Sequence, residues 1–117
     1  MNVALKMTQR EVDGVTVVAL DGRIVLGEES NTLREKVKWL LAEGKKHTVL
    51  NMQNITFIDS AGLGTLVTCH YTAKKEGASI RLCHLSTKFK ELLQITKLLT
   101  LFQVFDTEAA AVASFSK

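Results

Sequence analysis

The segment from Phe57 to Leu66, which reads FIDSAGLGTL, joins an apolar strand directly to a helix and constrains the fold more than any other part of the chain. Before it, residues 47–52 are read as a short buried strand. After it, apolar or weakly polar side chains recur at the spacing of one helix face, at Leu63, Leu66, Val67, His70 and Ala73. Ser60 is therefore predicted at the N-terminus of this helix, where free amides and the helix dipole favour an anion such as a phosphate group.

Strand-like and helix-like segments alternate along the rest of the chain. The alternation of Val3, Leu5 and Met7, followed by Asp13-Gly14, predicts an N-terminal antiparallel hairpin. Further strands are expected at residues 23–26, 78–83 and 101–105, and further helices after Gly27, after Ser86 and over residues 107–115. The sequence therefore predicts one α/β domain over residues 1–117, with a mixed, mostly parallel sheet and about four helices.

Composition and charge are typical of a single folded domain. A chain of 117 residues with 46% hydrophobic content can bury one core. Much of the net charge of +3 comes from Lys45-Lys46 and Lys74-Lys75, which flank predicted helix C-termini where cations complement the dipole, so we expect no direct nucleic-acid binding. The first residues lack a secretion-signal pattern and the apolar stretch at residues 98–105 is too short for a bilayer. We therefore expect a cytoplasmic protein without membrane insertion.

The two cysteines occur in matching dipeptides, Cys69-His70 and Cys83-His84. Neighbouring side chains diverge on a helix and point to opposite faces of a strand, so the four side chains are not expected to converge on a metal ion. Reduced, buried thiols are the prediction, with no metal and no cofactor.

The turn Asp59-Ser60-Ala61-Gly62-Leu63-Gly64 resembles the hallmark of the anti-sigma-factor antagonists, small bacterial proteins built on the STAS domain. Their Asp-Ser-(small)-Gly-Leu-Gly turn is phosphorylated on the serine by a partner that is both kinase and anti-sigma factor. The resemblance covers essentially the whole chain, because the order of elements fits as well. It implies phosphorylation of Ser60, a phosphatase that reverses it, and partner binding by the residues around it, which are Asp59, Ala61, Gly62, Leu63 and Gly64. Val25 stands where many antagonists have an acidic residue.

The resemblance implies a non-enzymatic binding module that captures a kinase-type anti-sigma factor while Ser60 is unmodified and releases it once Ser60 is phosphorylated. One alternative is a STAS adaptor subunit of an ABC transporter or larger signalling assembly, without phosphate turnover. Another is a nucleotide-binding hydrolase that uses the same turn. Against the hydrolase, Ile58 replaces the first glycine of a Gly-x-Ser-x-Gly elbow, and no Gly-Lys-Ser/Thr sequence follows Gly62.

Simpler roles for the turn residues remain open at this stage. Serine is a favoured helix cap, because its oxygen accepts a hydrogen bond from a free amide. Each glycine within a helix costs about 0.5 to 1 kcal/mol relative to alanine, so Gly62 and Gly64 require an explanation. Close packing of the helix on the sheet is one explanation, and an open surface for a partner's backbone is the other.

Overall fold

Strands and helices alternate along the chain, as the sequence predicts. The structure, a computed structural model, describes residues 5–116 and contains five strands and four helices within that range. In chain order they are β1 Leu5–Val12, β2 Val15–Ile24, α1 Glu28–Ala42, β3 His47–Ile58, α2 Ser60–Lys75, β4 Ser79–Cys83, α3 Thr87–Ile95, β5 Gln103–Phe105 and α4 Glu108–Ala113. None of the helices in this described range is long and apolar enough to cross a membrane.

The predicted N-terminal hairpin is confirmed for β1 and β2. Asp13 and Gly14 have φ angles of 51° and 80°, the two left-handed residues that a type I′ turn requires. The antiparallel ladder runs from the Val12–Val15 pair to the pair of Leu5 with Gly22. Val3, which the sequence analysis placed in the first strand, lies outside the described residues.

The sheet has the strand order β1-β2-β3-β4-β5, and every pair after the hairpin is parallel. The predicted α/β class with a mixed, mostly parallel sheet is therefore confirmed. Because α1, α2 and α3 each follow a parallel strand, their N-termini lie at the edge of the sheet formed by the strands' C-terminal ends. Ligands and partners of open α/β sheets commonly bind at this edge.

The prediction of a separate third strand at residues 23–26 is wrong. Arg23 and Ile24 are the last residues of β2, while Val25 and Leu26 belong to the connection to α1. Gly22 lies within β2, opposite Leu5 on one side and Ile55 on the other. The register with β3 shifts on each side of the Asp21-Gly22 pair, so this glycine accommodates an irregular, bulged ladder.

The central strand β3 extends six residues beyond the predicted segment, to Ile58. Its second half contains the exposed polar residues Gln53, Asn54 and Thr56, so it lacks the apolar run by which the first half was recognised. Pairing with β2 continues to the end of this extension, but pairing with β4 ends at Asn51. The strand therefore projects beyond β4 and carries the Ser60 turn at its tip.

The two faces of the sheet are covered by different helices. Successive residues of β3, Val49 and Leu50, belong to two separate clusters of buried side chains, because neighbours on a strand face opposite ways. The larger cluster contains buried residues of α1, α2 and α3, and the smaller one contains Ala111 and Val112 of α4. Cys69 belongs to the larger cluster and Cys83 to the smaller, so the sheet separates the two thiols.

Candidate functional site

Ser60 is the first residue of α2, and Asp59 is the residue that caps the helix. The Asp59 backbone is extended, and its side-chain oxygen Oδ1 accepts a hydrogen bond of 2.7 Å from the Gly62 amide. Ser60 is exposed, and within residues 5–116 its hydroxyl takes part in no hydrogen bond. The capping role that the sequence left open for Ser60 is therefore filled by its neighbour, and the Ser60 hydroxyl remains accessible.

Asp59 also connects the loop between β2 and α1 to the start of α2 through hydrogen bonds. Its Oδ2 atom accepts a 3.0 Å hydrogen bond from the Leu26 amide, and its own amide donates to the Ile24 carbonyl at 3.3 Å. Hydrogen bonds from the backbone amides of Leu26 and then Gly62 lower the pKa of the Asp59 carboxyl below its usual range. Asp59 is therefore ionised at neutral pH, and both of its carboxylate oxygens are engaged in the fold.

This arrangement changes the electrostatics expected at the helix N-terminus. The Asp59 carboxylate lies where the first free amides and the positive end of the dipole favour an anion. An anion on Ser60 would therefore meet a carboxylate that already occupies the favourable position. The helix N-terminus was predicted to favour an anion on Ser60, but the Gly62 amide there already donates to Asp59.

Gly62 and Gly64 occur in this turn for different structural reasons. A Cβ atom on Gly62 would lie 1.9 Å from the Ile24 carbonyl oxygen, so α2 approaches β2 too closely there for any side chain. A Cβ atom on Gly64 would meet no atom within 4 Å, and Gly64 is exposed. Close packing therefore explains Gly62, whereas the open-surface explanation fits Gly64.

The predicted binding residues divide between the core and the surface. Leu63 is only 7% exposed and packs in the larger core cluster, and Gly62 is buried against β2, so neither offers the surface expected of a partner contact. Ala61 is half-buried. Ser60 and Gly64 are exposed and, with Thr68, follow the spacing of one helix face. This exposed row of α2, formed by Ser60, Gly64 and Thr68, is accessible to another protein.

The exposure of one residue near the turn was not predicted from the sequence. Leu26 is 76% exposed, and its amide is bonded to Asp59, which places this apolar side chain on the loop beside the start of α2. Leu26 was predicted to end a short strand over residues 23–26. The only sequence signal for exposure was its position directly before Gly27 and the acidic first turn of α1.

Comparison with known proteins agrees with the fold and the motif. Residues 6–111 match the family model described as the STAS domain. The anti-sigma-B factor antagonist of Bacillus subtilis is 32% identical over 98 residues, which are 84% of this chain and 86% of that protein. The anti-sigma F factor antagonist of Paenibacillus polymyxa is 23% identical over 112 residues, covering 96% and 94% of the two chains.

Solved structures give the same result for the fold. The crystal structure of an anti-sigma factor antagonist from Mycobacterium paratuberculosis superposes with a TM-score of 0.82 at 18% identity, covering 97% of this chain and 95% of that one. The family match spans most of the chain, and the Bacillus relative passes 30% identity over most of both lengths. The resemblance inferred from the Ser60 turn is thereby confirmed, and this chain belongs to the STAS domain family.

Proposed function

We propose that this chain is an anti-sigma-factor antagonist whose binding is switched by phosphorylation of Ser60. Unmodified, it sequesters an anti-sigma factor with serine kinase activity; phosphorylated, it releases that partner, and a phosphatase restores the binding form. The observation that carries the proposal is the exposed, unbonded Ser60 hydroxyl beside an ionised Asp59 on an accessible helix face. The names of the Bacillus and Paenibacillus relatives support the antagonist role.

The electrostatics of the turn support a switch that acts on binding. A phosphate group adds about 1.5 to 2 negative charges at neutral pH. Because Asp59 already accepts from Leu26 and Gly62, the added dianion would lie next to a carboxylate and remain solvated in the free protein. Enclosing that dianion against a partner removes its water, which costs several kcal/mol unless the partner supplies cations.

The surface beside Ser60 is suited to contact with a protein. Leu26 offers an exposed apolar side chain on one side of the turn, and Gly64 lets a partner's backbone approach α2 one turn further along. Both flank the modified residue, so a phosphate on Ser60 would lie within the contact. The two solved forms of the Bacillus protein SpoIIAA, one phosphorylated and one unphosphorylated, are structural relatives of this chain.

We propose no catalytic step for this chain. His70 follows Ser60 by ten residues on α2, which is about 15 Å along the axis at 1.5 Å per residue. Its ring packs edge-on against Phe102 and Tyr71, and burial, followed by the charge of Lys74, lowers its pKa. The base, metal and ATP for phosphorylation would all come from the kinase partner. We therefore propose a cytoplasmic location for this chain as well.

Calorimetric titration with the kinase-type anti-sigma factor of the same organism tests the switch. We expect Ser60→Ala to bind it like the unmodified chain, and Ser60→Asp to bind at least about tenfold more weakly, equivalent to about 1.4 kcal/mol. Thr8→Asp is the matched control, because it places the same charge on an exposed side chain of β1, outside α2 and the Ser60 turn, and should leave the affinity unchanged. Equal affinities for Ser60→Asp and the unmodified chain, or kinase-dependent phosphorylation of Ser60→Ala at the same peptide, would contradict the proposal.

A further inference from the structure

The last seven residues of β3 have a neighbouring strand on one side only. Along residues 5–116, β2 pairs with β3 as far as Ile58, whereas the pairing of β4 with β3 ends at Asn51 and Cys83. Two residues beyond Asn51, the amide of Gln53 donates to the Asn51 side chain at 3.0 Å. The edge from residue 52 to residue 58 therefore presents backbone groups that β4 does not reach.

An apolar groove runs along this free edge. It has a volume of about 340 Å³ and lies between the end of β3 and α3. Its apolar lining comes from both elements, namely Ile55, Phe57 and Ile58 on the strand and Phe89, Leu92 and Ile95 on the helix. Phe57 is 56% exposed and Ile95 is 78% exposed, so large apolar surfaces stand on both sides of the groove.

Two common protections of a strand edge, charged residues and proline, are missing from residues 52–58. Natural edge strands carry charged residues or proline, which prevent another strand from pairing with them. Residues 52–58, MQNITFI, contain neither. On the helix side, Lys88 and Glu91 have opposite charges, so the rim favours neither a cationic nor an anionic ligand. Burying a charge against the apolar lining would be costly, so the groove favours an uncharged segment with apolar side chains.

We propose that this groove binds an extended, uncharged segment of a partner polypeptide, which adds to the sheet as a strand beside residues 52–58 of β3. Its backbone would supply the hydrogen bonds that β4 does not make, and alternate apolar side chains would fill the space against α3. A second copy of this chain is the alternative occupant, and it would appear as a dimer in sedimentation. Ile58 lines the groove two residues before Ser60, so one partner can engage both surfaces.

Selection from a random dodecapeptide library displayed on phage, with the whole chain as bait, tests this proposal. We expect the recovered peptides to alternate apolar and polar residues and to bind Ile95→Glu at least about tenfold more weakly in fluorescence anisotropy, because the charge faces the apolar groove. Trp39→Glu is the control, since Trp39 is a large apolar side chain on α1, is 50% exposed and lies outside the groove lining. Its peptide affinity should be unchanged.

A second measurement separates strand addition from simple apolar contact. N-methylation of alternate peptide amides removes the donors facing β3 and should weaken binding at least about tenfold. Retained affinity of the N-methylated peptides would overturn the proposal, as would failure to recover any peptide that distinguishes Ile95→Glu. A concentration-dependent dimer in sedimentation that Ile95→Glu abolishes would assign the groove to a second copy instead. Ser60→Asp should leave peptide binding intact, so this inference and the phosphorylation switch can fail separately.

Discussion

Gly62 and Gly64 lie two positions apart in the same helical turn, yet different constraints act on them. Gly62 faces β2, where the Ile24 carbonyl carbon and oxygen would lie 2.6 Å and 1.9 Å from an added Cβ. Backbone atoms of a central strand cannot move aside as a flexible side chain would. Gly64 faces open space, so only the lower helix propensity of glycine acts there.

Alanine substitutions at these two positions are expected to change stability in opposite directions. Gly62→Ala should lower the free energy of unfolding by about 1 to 3 kcal/mol, because α2 must shift away from β2. Gly64→Ala should raise it by about 0.5 to 1 kcal/mol through helix propensity. Urea denaturation followed by circular dichroism measures both. An unchanged urea midpoint for Gly62→Ala would contradict the close contact with Ile24 as the reason for a glycine at this position.

At the level of elements, Asp59 joins three parts of the chain. Its amide reaches the end of β2, its Oδ2 atom reaches the loop before α1, and its Oδ1 atom caps α2. The amide donors stabilise the ionised carboxylate, which is why its pKa is lowered. The position of Leu26 relative to Ser60 depends on this one side chain.

Replacement of Asp59 by asparagine tests this role through its pH dependence. A carboxyl whose pKa is lowered by folding contributes stability above its unfolded value of about 3.9, and that contribution is lost as the pH falls through the folded value. At about pH 7 the unmodified chain should therefore melt at a higher temperature than Asp59→Asn, and the difference should shrink towards about pH 2. Glu28→Gln, on the exposed first turn of α1, is the control for general charge effects. A difference that does not vary with pH would contradict the assigned hydrogen bonds.

The elements differ in how much of them the sequence could reveal. The hairpin and the starts of two helices followed from the local signals Asp13-Gly14, Gly27 and Ser86, and the structure has the hairpin and the helices at these positions. Asp21-Gly22 has the same local signal as a turn, but β1 and β3 pair with it on both sides and make it part of a strand. Such pairing depends on residues far apart in sequence, and so do the exposure of Leu26 and the free edge of β3. Leu63 lies in the core, as its place on the apolar helix face predicted. The resemblance had implied a partner-binding role for it, and the helix periodicity argued against that role.

At the scale of the whole molecule, the sheet divides the interior into two cores, each with one cysteine. Cys69 is 2% exposed in the core shared by α1, α2 and α3, and Cys83 is fully buried beneath α4. Burial raises the pKa of Cys69 to about 11 and that of Cys83 to about 12, with Glu108 adding to the shift of Cys83. At about pH 8, roughly one Cys69 thiol in a thousand is therefore ionised and reactive in the folded chain.

These two thiols report whether both cores unfold together. We expect pulse labelling with iodoacetamide across a urea series, read by mass spectrometry of the two peptides, to give the same midpoint for Cys69 and Cys83, because both cores share β2, β3 and β4. Labelling in high urea sets the full signal for each peptide. The smaller core depends on α4, a helix of six residues. Modification of Cys83 at lower urea than Cys69 would therefore mean that the α4 face opens as a separate unit, and the chain would not unfold as one cooperative domain.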